Sequence, residues 1–207
     1  MEPIISRGRI LVLAFTLLYV FIFSTWFITQ GNYEFIWYVS VMFVIMAIIA
    51  CTLRTSAFPN YILWMLSVWG LLHMLGGGIP VGDSVLYGYR LFDLYTGSSP
   101  DFVLLKYDQV VHAYGFAVAA IALAHILSLR AQGFGMFGRV MFAALGAIGL
   151  SVLNEIIEFA AVLMLPDTWV GGYYNISLDL VFNTLGAFVG VLLFEYFHRN
   201  HSKTGSS

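Results

Sequence analysis

The sequence is poor in charge. Asp, Glu, Lys and Arg make up 10% of its 207 residues, against about a quarter in a soluble domain. So few charges cannot cover a water-facing surface. An ordinary soluble domain is excluded, and the apolar excess, 60% of the chain, must face lipid. The net charge of −2 gives no electrostatic footprint for a nucleic-acid partner. Cysteine is nearly absent: with Cys51 alone, no disulfide within one chain is possible, and redox compartment cannot be read. There is no internal repeat, no separate soluble domain, no fixed nucleophile motif and no phosphate-binding motif.

Long apolar runs are abundant. A membrane span needs about 20 such residues, and six windows qualify, at about 10–28, 35–53, 59–75, 107–129, 139–165 and 176–197. The fold class is therefore all-α, a polytopic bundle of six transmembrane helices forming one domain over 1–198. Residues 199–207 read as a flexible polar tail. Arg7 and Arg9 precede a first run too long for a signal-peptide core and without a small-residue cleavage site, so it reads as a retained anchor. Arg7, Arg9, Arg54, Arg130, Arg139, Arg199 and Lys203 fall on one side of this topology, and Arg90 and Lys106 on the other. The bias puts both termini of this multi-pass protein in the cytoplasm. Trp26, Trp37, Trp69 and Trp169 lie near the predicted outer boundary, where an aromatic belt belongs. The long outer loop 76–106, with Tyr87, Tyr89, Phe92 and Tyr95, is either a lid or a folded surface loop.

Ionisable residues inside spans cost about 2.5–3.5 kcal/mol each at a helix centre, so their placement is informative. His73 closes the third span. Asp108 and His112 are four apart at the start of the fourth and share one face. Glu155 and Glu158 do so in the fifth, beside Asn154, and Asp179 and Asn183 in the sixth. Because consecutive spans alternate in direction, all of these fall in the outer half, as a shared polar site requires. The thirteen Leu, Ile, Val and Phe between Val140 and Leu165 contribute about −4 to −8 kcal/mol to insertion. Two glutamates take back about 5–7 kcal/mol. The fifth span therefore depends on polar partners or on protonation of a glutamate.

His, Asp and Glu are ligands for divalent metals, and bundle helices can carry di-metal carboxylate sites. Here the pairs are Glu-x-x-Glu and Asp-x-x-x-His, which fit that inventory but no metal-site spacing signature. Zinc or a similar ion suits the mixed set and can activate water. The expected ligands are His73, Asp108, His112, Glu155, Glu158 and Asp179, with Asn154 and Asn183 in support and Glu155 or Glu158 as general base. The plainer reading is a hydrogen-bonded network that locks the bundle. His125 and Glu195, near inner span ends, read as reaching the interface. Gly186 and Gly190 are a small-xxx-small pair that permits close helix packing. Asn175-Ile176-Ser177 matches a glycosylation acceptor.

In combination these motifs resemble a group of prokaryotic membrane proteins that includes the YjdF-type inner-membrane family, with a wider similarity to VanZ-like proteins. The resemblance rests on His73 followed by Gly76-Gly77, on Tyr107-Asp108-x-x-x-His112, on Asn154-Glu155-x-x-Glu158, and on the run from Asp179 to Ala187, the part most like the VanZ pattern. It covers the last two thirds of the chain and implies a helical membrane fold with a polar cluster. The VanZ likeness implies a link to the cell envelope or lipid-linked intermediates, without a reaction. Three readings stay open: a metal-dependent enzyme on a lipid or lipid-linked substrate, an ion or solute transporter or binding protein, and a structural protein whose polar network only specifies packing. Membrane lipids are the expected partners; oligomeric state does not follow.

Overall fold

A computed structural model of the chain describes residues 6–92, 102–131, 133–165 and 172–204. Six helices dominate it: α1 (Arg7–Gln30), α2 (Tyr33–Ser56), α3 (Asn60–Gly78), α4 (Tyr107–Arg130), α5 (Met136–Met164) and α6 (Tyr173–Thr204). All six are long and apolar enough to cross a membrane. Their ends follow local chemistry. Ser6 caps α1 by accepting from the Arg9 amide, and Gly31 ends it in the left-handed region at φ 65°. Asn32 then caps α2 by accepting from the Phe35 amide, so a two-residue connection reverses the chain.

The helices run alternately up and down. At one end Arg9 Nη2 donates to the Phe58 carbonyl (3.1 Å) and Arg130 Nη2 to the Thr55 carbonyl (2.8 Å). There too Arg139 grips Glu195 with Nε and Nη2 at 2.7 and 2.8 Å. Glu195 is fully buried. It does not reach the interface as expected from its position, because the guanidinium supplies a bidentate partner inside the bundle. His125 Nε2 likewise lies 3.2 Å from the Ala57 carbonyl. We call this the basic end.

α4 sits at the centre, packed on α3, α5 and α6. A Cβ on Gly186 would overlap the Ala113 carbonyl oxygen, and one on Gly190 would overlap that of Ala117. The small residues therefore set the α4–α6 separation. The apolar core between them is built of Ala120, Ala124, Ala143, Ala144, Ala187 and Val191, small side chains suited to close contact in lipid.

Some boundaries differ from the sequence reading. α3 continues through the glycine run to Gly78, because Gly76 and Gly77 are surfaces on which the rings of Tyr87 and Phe35 rest. α6 continues to Thr204, so the helix takes in 199–204 of the expected tail. The outer loop begins as a hairpin, β1 (Pro80–Val81) antiparallel to β2 (Ser84–Val85), followed by a 3-10 turn at Leu86–Gly88. Arg90 then bridges to Lys106. Trp69 packs against Gly115 and Phe116 of α4. Trp169, Tyr95 and residues 205–207 lie outside the described residues, as do the side chains of His201 and Lys203.

Candidate functional site

The polar residues of α4, α5 and α6 converge at the end away from the basic one. Asp108, in the first turn of α4, benefits from the positive end of the helix dipole, and His112 follows one turn later. His112 Nε2 lies 3.3 Å from Asp108 Oδ1 and 3.6 Å from Glu158 Oε1. Its Nδ1 lies 3.1 Å from Asn183 Oδ1 and 3.8 Å from Glu155 Oε1. Asp108, His112, Glu155, Glu158, Asp179 and Asn183 are all buried, Asp179 and Asn183 completely. Two trios share the imidazole, Asp108–His112–Asp179 and His112–Glu155–Glu158, and within each trio one ligating atom per residue falls within 4.8 Å of the others.

Each carboxylate is held at one oxygen. Lys106 Nζ lies 3.4 Å from Asp108 Oδ2. Asn175 Nδ2 donates to Asp179 Oδ2 (2.6 Å), Asn154 Nδ2 to Glu158 Oε1 (2.8 Å) and Asn183 Nδ2 to Glu155 Oε1 (3.4 Å). Of the second oxygens, Asp179 Oδ1, Glu155 Oε2 and Glu158 Oε2 are buried without a hydrogen-bond partner, and Asp108 Oδ1 faces the His112 imidazole at 3.3 Å. Orphaned buried polar atoms are rare and costly.

The imidazole adds to this. Asn183 gives its amide N–H to Glu155 and so turns its carbonyl to His112, which must donate from Nδ1. In a neutral ring Nε2 then carries a lone pair, and it faces Asp108 Oδ1 and Glu158 Oε1, which are acceptors as well. Acceptors facing one another need a proton or a cation between them.

Lys106 also contacts Asn175 Oδ1, so one lysine bridges the supports of Asp108 and Asp179. It is positioned by Gln109, whose Oε1 accepts from the amides of Leu105 (2.6 Å) and Lys106 (3.2 Å). That clamp holds Leu105 at φ 72°, an unfavourable region for a branched side chain.

His73, expected among the ligands, is in neither trio. Its Nδ1 is hydrogen-bonded to the Tyr87 hydroxyl, and the rings of Phe35, Tyr38 and Tyr87 surround it. The 3-10 turn after the hairpin plugs Tyr87 into the bundle and takes up the histidine. Burial pushes the Tyr87 phenol well above its usual range, so it remains a neutral partner there. Tyr107 ties the same region together by donating to the Leu72 carbonyl at 2.9 Å.

Sequence reasoning missed Lys106, Asn175, Gln109 and Tyr87. Asn175 was detectable, since it precedes Asp179 by four residues, the spacing that also links Asn154 to Glu158. Glu34, buried in the first turn of α2, was missed as well.

Six membrane-length helices and a buried histidine–carboxylate core define an integral, multi-pass membrane protein. The chain belongs to the DUF2238 family, described as a predicted membrane protein, whose model matches residues 10–200. A YjdF-type kinship is consistent with this match, whereas the wider similarity to VanZ-like proteins is not shown by it. No curated protein and no solved structure matches the chain.

Proposed function

We propose that the buried core is a divalent-cation centre, of zinc or a similar ion, and that the chain is a metal-dependent enzyme acting on a lipid or cell-envelope substrate. One observation carries the reading: around one imidazole, which Asp108 Oδ1 faces at 3.3 Å, three further carboxylates each have one oxygen fixed by an amide and the other buried without a partner. Metal sites hold their ligands by such outer hydrogen bonds. His112, Asp108 and Asp179 are the ligands we assign. Glu158, aligned by Asn154, is the general base, with Glu155 held in reserve by Asn183. A bound cation supplies activation of water at neutral pH. The VanZ likeness of the run from Asp179 to Ala187 favours an envelope-linked substrate, and the arginine bias favours the outer face of a prokaryotic cytoplasmic membrane.

A carrier path is less well supported. Toward the basic end Glu195 is taken by Arg139 and His125 faces the Ala57 carbonyl, so these two ionisable groups are already engaged. The test is elemental analysis of purified protein. Wild type and Glu158→Gln should carry stoichiometric metal, while His112→Ala and Asp179→Asn should lose it. Metal-free wild type after loading, or retention in His112→Ala, rejects the centre.

A further inference from the structure

The polar core is enclosed. Asp179 and Asn183 are completely buried, and His112 nearly so. Such a site exchanges protons or ligands only through a part of its wall that can move. Between α4 and α6 the wall is fixed. The Ala113 and Ala117 carbonyls fill the space that a Cβ would need at Gly186 and Gly190, so these helices meet at backbone distance. Ala143, Ala144 and Ala147 continue the close packing onto α5. Parting the helices would undo this contact along their length.

The outer cap is built differently. Between Ile79 and Phe92, Tyr87 alone is buried. This stretch is tied to the start of α4 by backbone bonds, with Leu91 donating to the Leu105 carbonyl at 3.0 Å and Tyr107 to the Tyr89 carbonyl at 2.9 Å. The first bond ends on the residue held at φ 72°, a conformation that costs a branched side chain free energy. Segments held by few apolar contacts and by exposed backbone bonds are the ones that open locally.

Tyr87 is what this stretch puts into the bundle. Its ring occupies the space that a Cβ on Gly76 would need, with ring centroids 5.7 Å from Phe35 and 6.1 Å from Tyr107. Its hydroxyl meets His73 Nδ1. Tyr107 adjoins Asp108 in the chain, and the charges of Asp108 and Glu158 both act on the Tyr87 phenol. The ring therefore stands between the hairpin and the carboxylates. It rests on a glycine face, which does not interlock with it.

We infer that the hairpin and 3-10 turn from Ile79 to Tyr89 form a lid over the core, with Tyr87 as its plug and His73 as its latch, and that outward movement of this lid admits water and small polar solutes to the carboxylates. Lids that gate enzyme sites act in this way. The inference concerns access, and it stands whether the core holds a cation or protons alone.

Thiol accessibility tests this. In a Cys51→Ala background, Asn183→Cys and, separately, Glu158→Cys place a reporter in the core. Intact cells are treated with a small, membrane-impermeant methanethiosulfonate. With Tyr87 in place the reporters should react slowly but to completion. Tyr87→Ala should speed them by about tenfold or more, because it removes both the latch bond and the plug. Tyr87→Phe, which removes the latch alone, should speed them less. Gly82→Cys at the hairpin tip should react equally fast with and without Tyr87→Ala. Hydrogen exchange of the wild-type protein supplies a reading that no unfolded variant can spoil. The amides of Leu86, Tyr89 and Leu91 should exchange about a hundredfold or more faster than those of Val111 to Phe116 in α4. Reporter rates indifferent to Tyr87→Ala, or lid amides as protected as those of α4, overturn the lid.

Discussion

His112 of α4 and Asn183 of α6 meet through Nδ1 and Oδ1 at 3.1 Å, both buried within the bundle. The pair joins the two helices that the glycine contacts bring together, and through it the amide of Asn183 also reaches Glu155. Asn183→Leu removes both bonds and leaves a buried imidazole N–H without an acceptor. The expected loss is about 1–3 kcal/mol, read as a lower thermal midpoint in detergent.

Gly186 fixes how close that pair can come. The Ala113 carbonyl occupies the space that a Cβ at this position would need, so backbone must move to admit any side chain. Gly186→Leu should cost at least the roughly 1–3 kcal/mol of an overpacked contact and weaken cation binding. Gly149 has nothing within 4 Å of its Cβ position, so Gly149→Ala should leave both properties near wild type. Thermal unfolding together with metal content checks the contrast.

Arg139 and Glu195 offer a control remote from the core. Arg139→Met strands a fully buried carboxylate and should destabilise by about 3–5 kcal/mol. The double variant Arg139→Met with Glu195→Leu should recover most of the loss. Metal content per folded protein should be unchanged in both. Thermal melts of the two single variants and the double variant close the cycle.

How far the sequence reading reached depended on what periodicity can encode. The spans were legible because lipid demands uninterrupted apolar helix, and the pairs Asp108–His112 and Asp179–Asn183 were legible because each shares a face. Spacing does not say which neighbour a face meets. His73 has the depth of the cluster, yet it is taken by Tyr87 from a 3-10 turn that no span pattern reveals. Lys106 reads as a loop charge because its role depends on the left-handed Leu105 and the Gln109 clamp before α4. Glu195 reads as an interfacial residue because its partner, Arg139, lies 56 positions away.

The orientation of the bundle is open to chemical labelling. In a Cys51→Ala background, Gly82→Cys at the hairpin, where φ is +58° and nothing lies within 4 Å of a Cβ, should react with an impermeant maleimide from outside the cell. Thr55→Cys, at the basic end, should react only after permeabilisation. The opposite pattern would put the polar core in the inner half.

X-ray absorption at the zinc edge of zinc-loaded, desalted protein examines the cation centre itself. The expected spectrum has nitrogen and oxygen neighbours at about 2.0–2.2 Å, outer scattering from a single imidazole, and no sulfur. That spectrum should disappear in His112→Ala. A protein that keeps no zinc after desalting, or zinc without an imidazole neighbour, would contradict it.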